Sequence, residues 1–454
     1  MHRSWRHLVL LVSLLLLVIS VSMSSPSLAG SPEPFAWRQF QGTTLRVLLS
    51  KSAWQQIMAR HFPEFEQLTG IHLATEVYPQ SELWNVLEGG LREPGRVDVF
   101  MTWPGLDSLR YLRAGGIRAV NDYLKDPRLT ARDYEWEDFL PKTREAMEIE
   151  GAILGPPIMA DNLALIYRKD VFSKYQVAVP RTLDELEAAA RFLHKKPMGP
   201  NGEPGVGVVA RGHGDTATTL YAGIMHALGV SWLDERHQPT IDGQQGLAAL
   251  EYLARLLGTY APPDVSNFGW REASDMFVSG KAAICIETTS IYPLLEQQET
   301  SHIAGKVGYA LFPSGPGGLG TTVGVRGLAI SKGSNHPEAA WLFLQWASGK
   351  EMVKQVLQRG ILVGRESAWR DPSVNWKVPP DLAQSFQEAG RIGVVEWAPP
   401  MVAVTSAREA VGSAITAAIR GEDFRSAATA AARRLAEILR TTEGDGARPA
   451  RVTP

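Results

Sequence analysis

The stretch "ILGPPIMADNLALIYRKDVFSKY", residues 153–175, decides how this chain is organised. A double proline at Pro156 and Pro157 precedes the polar pair Asp161 and Asn162, which is followed by the apolar, strand-like run "LALIY". Polar groups that favour solvent or turns therefore stand directly before a segment that favours burial. We interpret the double proline as a crossing between two lobes, with Asp161 and Asn162 at the mouth of a cleft. An Asx turn that only leads into the strand is the alternative that the local sequence leaves open.

On both sides of this stretch, strand patterns alternate with helix patterns. The segments "LRVLLS", "IHLATEVY" and "VDVFMTW" are typical of strands and are separated by helix-like segments, the first at residues 54–68 with Pro63 inside it. A capping box at Thr182 begins another helix, and the alanine-rich residues 405–439 predict two helices separated near Gly421. This alternation predicts an α/β fold with a largely parallel sheet flanked by helices. Because 454 residues exceed one ordinary core, we expect two lobes whose strand-end loops face a common cleft.

The amino terminus has the pattern of an export signal. Arg3 and Arg6 precede an uncharged run at residues 8–21, and small residues lead up to Ala29. We predict a cleavable signal peptide over residues 1–29. A membrane anchor is the alternative, but about 14 apolar residues fall short of the roughly 20 that span a bilayer. No cysteine stands near the cleavage site, so we expect a periplasmic protein that is exported and not lipid-anchored.

Charge and motif content argue against several classes of function. Loss of Arg3 and Arg6 leaves 44 basic against 48 acidic side chains, so nucleic acid is not an expected partner. The ten histidines are scattered and the lone Cys285 lies in an apolar, strand-like segment, so neither a metal site nor a disulfide is predicted. The glycines of residues 315–320 match a dinucleotide fingerprint by letter, but a strand-like segment follows them where a helix is required. We therefore predict no cofactor and no catalytic residues.

Aromatic residues point instead to carbohydrate. The chain has thirteen tryptophans, and Trp54, Trp103, Trp270 and Trp397 fall where loops should leave strands. Sugars and polyols present C–H faces that pack on indole rings. Carboxylates beside those rings, such as Asp107, can accept hydrogen bonds from the hydroxyl groups of the ligand. Core packing is the alternative for any single tryptophan.

Six further segments, in order along the chain, carry a family resemblance. They are "FEQLTGIHLATEVY", "DVFMTWPGLDSLRYLRAGGIRAVNDYL", "LALIYRKDVFSKYQVAVPRTLDEL", "FVSGKAAICIE", "GLAISKGSNHPEAAWLFLQWAS" and "IRGEDFRSAATAAARRLAEIL". The sequence resembles the extracellular solute-binding proteins of carbohydrate ABC importers that are related to maltose-binding protein. "FGWREASDMFVSGKAAICIETTSIYPLLE" and "GKVGYALFPSGPG" are most similar to the sorbitol- and mannitol-binding group. Arg326 stands where that group tends to carry an aromatic residue, and Arg168 replaces a commoner asparagine.

The resemblance implies a two-lobe periplasmic binding protein fold of type II, with a ligand cleft between the lobes. It implies that residues 30–155 and 286–332 form lobe one, that residues 156–285 and 333–440 form lobe two, and that residues 441–454 are a flexible tail. It also implies a monomer that closes its hinge on a sugar or sugar alcohol and delivers it to a membrane permease, and not an enzyme.

The site residues implied by the resemblance come from the loops that face the cleft. They are Lys51, Trp54, Gln80, Trp103, Asp161, Asn162, Trp270, Glu287, Thr288, Arg326 and Trp397. Trp103 and Trp270 are expected to stack on the ligand. Asp161 and Glu287 are expected to accept hydrogen bonds from its hydroxyl groups. Because Lys51 and Arg326 are cationic, an acidic or phosphorylated sugar remains an alternative ligand, unless both residues pair with carboxylates. A secreted carbohydrate-active enzyme and a binding protein for a chemoreceptor also remain open.

Overall fold

A computed structural model describes residues 35–374 and 378–443. The predicted signal peptide lies outside these residues, as does most of the predicted tail. Residues 441–443 are described and are the last turn of a helix, in which the Glu443 carboxylate lies 2.9 Å from Arg113 Nη1. This part of the predicted flexible tail is therefore ordered by a contact with the rest of the chain.

A nine-stranded sheet runs through the molecule in the order β2-β1-β3-β11-β7-β9-β8, with β4 beside β11 and β10 beside β7. Strands β5 and β6 form a separate two-stranded ribbon. The strands are β1 Thr44–Ser50, β2 His72–Tyr78, β3 Val99–Thr102, β4 Ile117–Arg118, β5 Glu148–Ile149, β6 Ala152–Ile153, β7 Pro157–Arg168, β8 Val206–Ala210, β9 Ala282–Thr288, β10 Val307–Leu311 and β11 Val323–Ser331.

Strand β7 joins the two halves of the sheet. Up to Asn162 it pairs with β11, where Asp161 lies opposite Gly324. From Leu163 onward it pairs with β9, where Leu163 lies opposite Thr288, and with β10 on its other side. The polar pair of the opening stretch thus lies in mid-strand where the pairing partner changes, not in an Asx turn. The crossing between lobes occurs at Asp161 and Asn162, four to five residues beyond the double proline.

Helices cover both halves of the sheet. In chain order they are α1 Ala53–Met58, α2 Phe62–Thr69, α3 Gln80–Gly90, α4 Ser108–Arg113, α5 Asn121–Lys125, α6 Pro141–Ala146, α7 Lys169–Tyr175, α8 Leu183–Leu193, α9 Thr218–Ala227, α10 Gln244–Tyr260, α11 Trp270–Val278, α12 Tyr292–Leu295, α13 Pro337–Ala347, α14 Lys350–Leu357, α15 Glu366–Arg370, α16 Pro380–Ile392, α17 Val404–Arg420 and α18 Phe424–Glu443. The predicted α/β fold with flanking helices is confirmed, but the sheet is mixed and not largely parallel. Strand β11 runs antiparallel to β3 and β7, and β7 runs antiparallel to β9 and β10.

Two large hydrophobic cores pack on the sheet, and the first extends past the strand crossing, since it includes Ile166, Phe277 and Val307. The first gathers the side chains of β1, β3 and β11 with α1, α2 and α13 to α16. The second gathers the C-terminal half of β7 with β8, α8 to α10, α17 and α18.

Helix α13 lies in residues 333–440, which the predicted division placed in lobe two. The ring of Phe343 in α13 contacts Phe62 and Phe65 of α2, with ring centres 5.9 and 5.3 Å apart. Trp346 also lies against Phe65, at 5.3 Å. These apolar side chains pack α13 against α2 in the first core, and the division of the chain into lobes stays a prediction.

Local signals in the sequence explain several helix ends. The Thr182 hydroxyl accepts a hydrogen bond from the Glu185 amide at 3.2 Å, which caps α8 as predicted. The helix predicted over residues 54–68 is divided into α1 and α2, and Pro63 lies in the first turn of α2. Gly421 ends α17 with φ +69°, a conformation that glycine adopts without strain.

Candidate ligand-binding site

A cleft of about 650 Å³ lies between the lobes, beside the strand crossing. Lobe one contributes the loop after β3 and the start of β11, and lobe two contributes the loop after β8 together with α9, α11 and α17. Asp161 stands where β7 passes from one lobe to the other, and it lines the cleft. The volume lies within the 300–1,000 Å³ range of small-molecule sites.

An aromatic wall forms the lobe-one side of the cleft. The Arg326 guanidinium carbon lies 3.9 Å from the centre of the Trp103 ring, and the Trp397 ring centre lies 5.7 Å from that of Trp103. The register of β7 against β11 shifts between Arg326 and Gly327, an irregularity that redirects side chains at a strand edge. One indole predicted to stack on ligand is therefore already covered by a guanidinium.

Asp107 holds the loop that carries Trp103. Its buried carboxylate accepts hydrogen bonds from the Trp103 amide at 2.8 Å, the Thr102 hydroxyl at 2.6 Å and the Trp84 indole at 2.9 Å. Burial raises the pKa of Asp107, while these donors act in the opposite direction. The carboxylate beside Trp103 thus positions the aromatic wall and does not face the ligand space.

Trp270 is the tryptophan of the cleft whose face is free. Its side chain begins α11 and is 46% exposed, in contrast to Trp397 at 8%. The Arg271 guanidinium lies 5.8 Å from its ring centre, at the cleft edge. An exposed indole on an otherwise packed wall is the surface against which a sugar C–H face can pack.

A buried ion pair supports the polar floor of the cleft. Arg211, just after β8, donates to the Glu287 carboxylate through both Nε, at 2.6 Å, and Nη2. Glu287 also accepts from the Thr288 amide at 2.7 Å, and the Thr288 hydroxyl lies 2.7 Å from that of Ser290. Burial acts to lower the pKa of Arg211, but the charge of Glu287, its hydrogen bond to Arg211 and the charge of Asp161 together raise it. The pair fixes Arg211 at the cleft wall in its charged form.

The remaining cleft arginines also face carboxylates. Arg408 Nη1 lies 3.7 Å from Asp215 Oδ2, and Arg271 Nε lies 3.3 Å from Asp275 Oδ2. Burial raises the pKa of Asp161, and the charges of Arg326 and Arg211 oppose that rise. Burial lowers the pKa of Arg326, and the charges of Asp161 and Asp107 oppose that change. Arg211, Arg271 and Arg408 are thus each paired with a carboxylate, whereas Arg326 has no such ion pair within the described residues.

The structure brings six of the predicted site residues together at the cleft: Trp103, Asp161, Trp270, Thr288, Arg326 and Trp397. The other five are not among its lining residues. Lys51 is exposed and Gln80 is half-buried at the start of α3. Trp54 is 1% exposed and belongs to the first core, because α1 packs that face inward.

Asn162 and Glu287 lie one layer behind the cleft. The Asn162 carboxamide oxygen accepts from the Thr289 hydroxyl at 3.1 Å, and the Asn162 backbone amide donates to the oxygen of that hydroxyl at 3.1 Å. Glu287, expected to accept ligand hydroxyls, instead has both carboxylate oxygens engaged by Arg211. Both residues are therefore committed to contacts within the protein.

Several residues that line the cleft escaped sequence reasoning. Arg211 and Asp215 follow β8 in the segment "ARGHGD", which is a strand-end loop of the kind that marks cleft positions. Ser290 follows β9 in the same manner. Arg408 lies on α17, and its helical pattern carries no signal of a cleft position. Its Nε donates to the Thr218 hydroxyl at 2.9 Å, which fixes the side chain from lobe two.

Comparison with known proteins identifies the family. Residues 48–354 match the model of the bacterial extracellular solute-binding proteins. The chain belongs to this family. Within residues 35–374 and 378–443, every helix falls short of the length and apolarity that a bilayer crossing requires. The same described residues contain no cluster of three or more His, Cys, Asp or Glu side chains arranged to hold a metal ion.

Curated relatives of this solute-binding protein include named polyol binders. It is 28% identical over 232 residues to the mannitol-binding protein of Pseudomonas aeruginosa, an alignment that covers 50% of this chain and 52% of that protein. It is 24% identical over 354 residues to the erythritol/L-threitol-binding protein of Mycolicibacterium smegmatis, which covers 72% and 71% of the two chains. The chain thus spans about half the length of the mannitol-binding relative.

Solved structures confirm the predicted two-lobe fold of this solute-binding protein. An ABC transporter solute-binding protein of Agrobacterium radiobacter, in complex with ribitol, superposes with a TM-score of 0.72 at 24% identity and covers 89% of this chain and 99% of its own. One from Agrobacterium vitis, with bound D-mannitol, gives a TM-score of 0.67 at 21% identity, with 87% and 98% coverage.

Proposed function

We propose that this protein captures a neutral sugar or sugar alcohol between its lobes and delivers it to the permease of an ABC importer. The observation that carries the proposal is the combination of a free indole face at Trp270 with hydrogen-bonding side chains across the same cleft. Thr288, Ser290 and Asp161 supply acceptors, and Arg326 supplies donors. Sugars and polyols present alternating C–H faces and hydroxyl groups. Such a cleft can pack against the C–H faces and hydrogen-bond the hydroxyl groups.

Charge balance favours a neutral ligand over an acidic or phosphorylated one. Arg211, Arg271 and Arg408 each form an ion pair with a carboxylate, Arg326 is near the charges of Asp161 and Asp107, and Lys51 is exposed and does not line the cleft. An anionic ligand would have to compete with these carboxylates, whereas hydroxyl groups can share their hydrogen bonds. The names of the relatives, which bind mannitol and erythritol or L-threitol, agree with this preference.

Hinge closure supplies the mechanism. Chain crossings such as β7 connect the two halves of the sheet, and Asp161 on the crossing lines the cleft. A ligand that contacts Trp270 on one lobe and Arg326 on the other binds the closed form more tightly than the open form. Its binding therefore shifts the population towards the closed form, which the permease recognises.

Export completes the proposed role. The predicted signal peptide, residues 1–29, would be cleaved to release a monomer into the periplasm without a lipid anchor. The family itself is extracellular, which supports this location.

A thermal-shift screen of residues 30–454 tests the proposed function. The panel contains tetritols, pentitols, hexitols, neutral mono- and disaccharides, sugar acids and sugar phosphates. A ligand at 100 times its dissociation constant should stabilise the protein by about 2.7 kcal/mol. Stabilisation by a polyol or neutral sugar that mass spectrometry recovers unchanged supports the proposal. Stabilisation only by acids or phosphates contradicts the neutral-ligand assignment, and consumption of a sugar would establish an enzyme.

A further inference from the structure

We infer that the cleft continues into a second chamber that binds the apolar aglycone of a glycoside. This inference rests on the proposed function, because the sugar portion would occupy the cleft beside Trp270. The second chamber has a volume of about 200 Å³ and adjoins the cleft. Six residues line both spaces: Trp103, Asp161, Ser290, Pro293, Gly324 and Arg326.

Gly324 helps keep the junction open. A side chain at this position would place its Cβ 2.6 Å from Asp161 Oδ1, which lies opposite it across the ladder. The absence of a Cβ therefore lets the Asp161 carboxylate stand between the two spaces. A ligand that reaches past this carboxylate enters the second chamber without displacing backbone.

The far wall of the second chamber is mostly apolar. Ala53, Met159, Ile361 and Leu362 line it, together with the ring of Tyr292. Such a wall has few partners for hydroxyl groups, so a second sugar unit would leave several hydroxyls without hydrogen bonds, at a cost of about 1–3 kcal/mol each. An aromatic or alkyl aglycone avoids that cost and gains from burial.

Two buried donors at the second chamber lack partners among the described residues. The Tyr292 hydroxyl makes no hydrogen bond, although the residue is 4% exposed, and Arg326 Nε makes none either. Tyr292 lines only the second chamber, whereas Arg326 stands at its junction with the cleft. Buried donors are almost always paired in folded proteins. Both atoms are enclosed by protein, so an acceptor oxygen of the ligand reaches either of them through a small movement of a neighbouring side chain.

Gly360 makes room for the Tyr292 hydroxyl. A Cβ at position 360, where φ is +83°, would lie 2.7 Å from Tyr292 Oη. The loop after α14 thus approaches the hydroxyl closely without a side chain and without a hydrogen-bond partner for it.

Matched glycosides test the inference. The probes are the methyl, phenyl and 4-hydroxyphenyl glycosides of glucose, mannose and galactose in both anomeric forms, with free sugars and hexitols alongside, measured by calorimetry. We expect at least one phenyl glycoside to bind roughly tenfold more tightly than its methyl counterpart, because the ring is buried against apolar side chains. We expect the 4-hydroxyphenyl form to bind more tightly still, through Tyr292.

Two variants, A53W and Y292F, and one control, A114W, locate the effect in the second chamber. A53W fills the space from an exposed position at the start of α1, so the ratio of phenyl to methyl affinity should fall to about one. A114W, which places the same side chain at an exposed position that does not line the second chamber, should retain the ratio. Y292F should remove only the advantage of the 4-hydroxyphenyl form, and its thermal stability should be unchanged or higher because an unpaired hydroxyl is lost.

The outcomes separate the inference from the proposed function. If free sugars or hexitols bind but phenyl glycosides bind no better than methyl glycosides, the second chamber does not hold an aglycone and the proposed function stands. If Y292F leaves the 4-hydroxyphenyl affinity unchanged, the assigned contact with Tyr292 is wrong. If no sugar, polyol or glycoside binds the wild-type protein, the proposed function fails, and the inference fails with it.

Discussion

The guanidinium of Arg326 lies over the ring of Trp103, with its central carbon 3.9 Å from the ring centre. The two residues come from β11 and from the loop after β3, and together they form the rigid wall of the cleft. A planar cation stacked on an indole keeps its edge donors free for ligand oxygens while its face is held. Arg326 is thus positioned for ligand recognition before any ligand binds.

Replacement of Arg326 by lysine keeps the charge but removes the planar stack and the fixed donors. We expect R326K to weaken binding of the ligand identified in the screen by about tenfold, measured by calorimetry. R110K is the matched control, because Arg110 lies over Tyr111 at 5.1 Å and does not line the main cleft. Equal affinity of R326K and wild type would show that the stack has no part in binding.

Trp270 and Trp397 should separate binding from stability. Trp270 is 46% exposed, so W270A should lower ligand affinity while it changes the free energy of unfolding by no more than about 0.5 kcal/mol. Trp397 is 8% exposed and packs on Trp103, so W397A should cost about 3–5 kcal/mol of stability. Denaturant titration and calorimetry measure the two quantities. Unchanged affinity in W270A would remove that residue from the site.

Glu287 and Arg211 form a buried pair whose disruption should be costly. E287Q leaves the Arg211 guanidinium without its counter-charge, and we expect a loss of about 3 kcal/mol in the free energy of unfolding. D275N breaks the Arg271 pair, in which both side chains are exposed, and should cost less than about 1 kcal/mol. Urea titration of both variants tests the contrast, and similar losses would contradict it.

Gly105 should tolerate no side chain, because it supports Trp397. Its φ is +89°, and an added Cβ would lie 2.8 Å from Trp397 Nε1. Gly115 has φ +72° with nothing within 4 Å of an added Cβ, so G115A should show only the backbone cost of about 1 kcal/mol. We expect G105A to lose more stability than G115A and also to weaken ligand binding. Equal effects in thermal melts would mean that the indole moves away without cost.

His226 should make stability fall in mild acid. Burial lowers the pKa of His226, whose Nε2 donates to the Glu396 carbonyl at 2.9 Å. The unfolded state therefore binds a proton as the pH falls below about 6.5, whereas the folded state does so only at lower pH. The free energy of unfolding consequently decreases as the pH falls below about 6.5. We expect the melting temperature of H226Q to fall less than that of wild type between about pH 7.5 and 5.5.

Two comparisons isolate the effect of His226. Burial raises the pKa of Glu396, so ionisation of that carboxylate lowers stability as the pH rises, which is opposite in sign. The difference between wild type and H226Q removes this contribution, since both chains contain Glu396. H302Q changes an exposed histidine and should follow the wild-type profile. A wild-type profile in H226Q would show that His226 does not control the acid response.

Local pattern alone predicted much of the fold and part of the candidate site. The cap at Thr182, the proline in the first turn of α2 and the glycine that ends α17 act through neighbours within a few residues, so the sequence carries them directly. A strand-end position likewise predicted Trp103 at the cleft, whereas Thr288 was implied by the family resemblance. Trp54 was expected at the cleft but lies in the first core, because a helix after a strand can present the same residue to a cleft or to a core.

The sequence by itself determined the α/β class, the positions of most elements, the family and the aromatic character of the cleft. Only the tertiary structure decided that Asp161 and Asn162 lie within one continuous strand, because pairing with Gly324 and Thr288 involves residues more than a hundred positions away. It also decided that Arg211 engages Glu287 and that Arg326 covers Trp103. Periodicity and capping are local, whereas charge partners and stacked rings are chosen by which strands become neighbours.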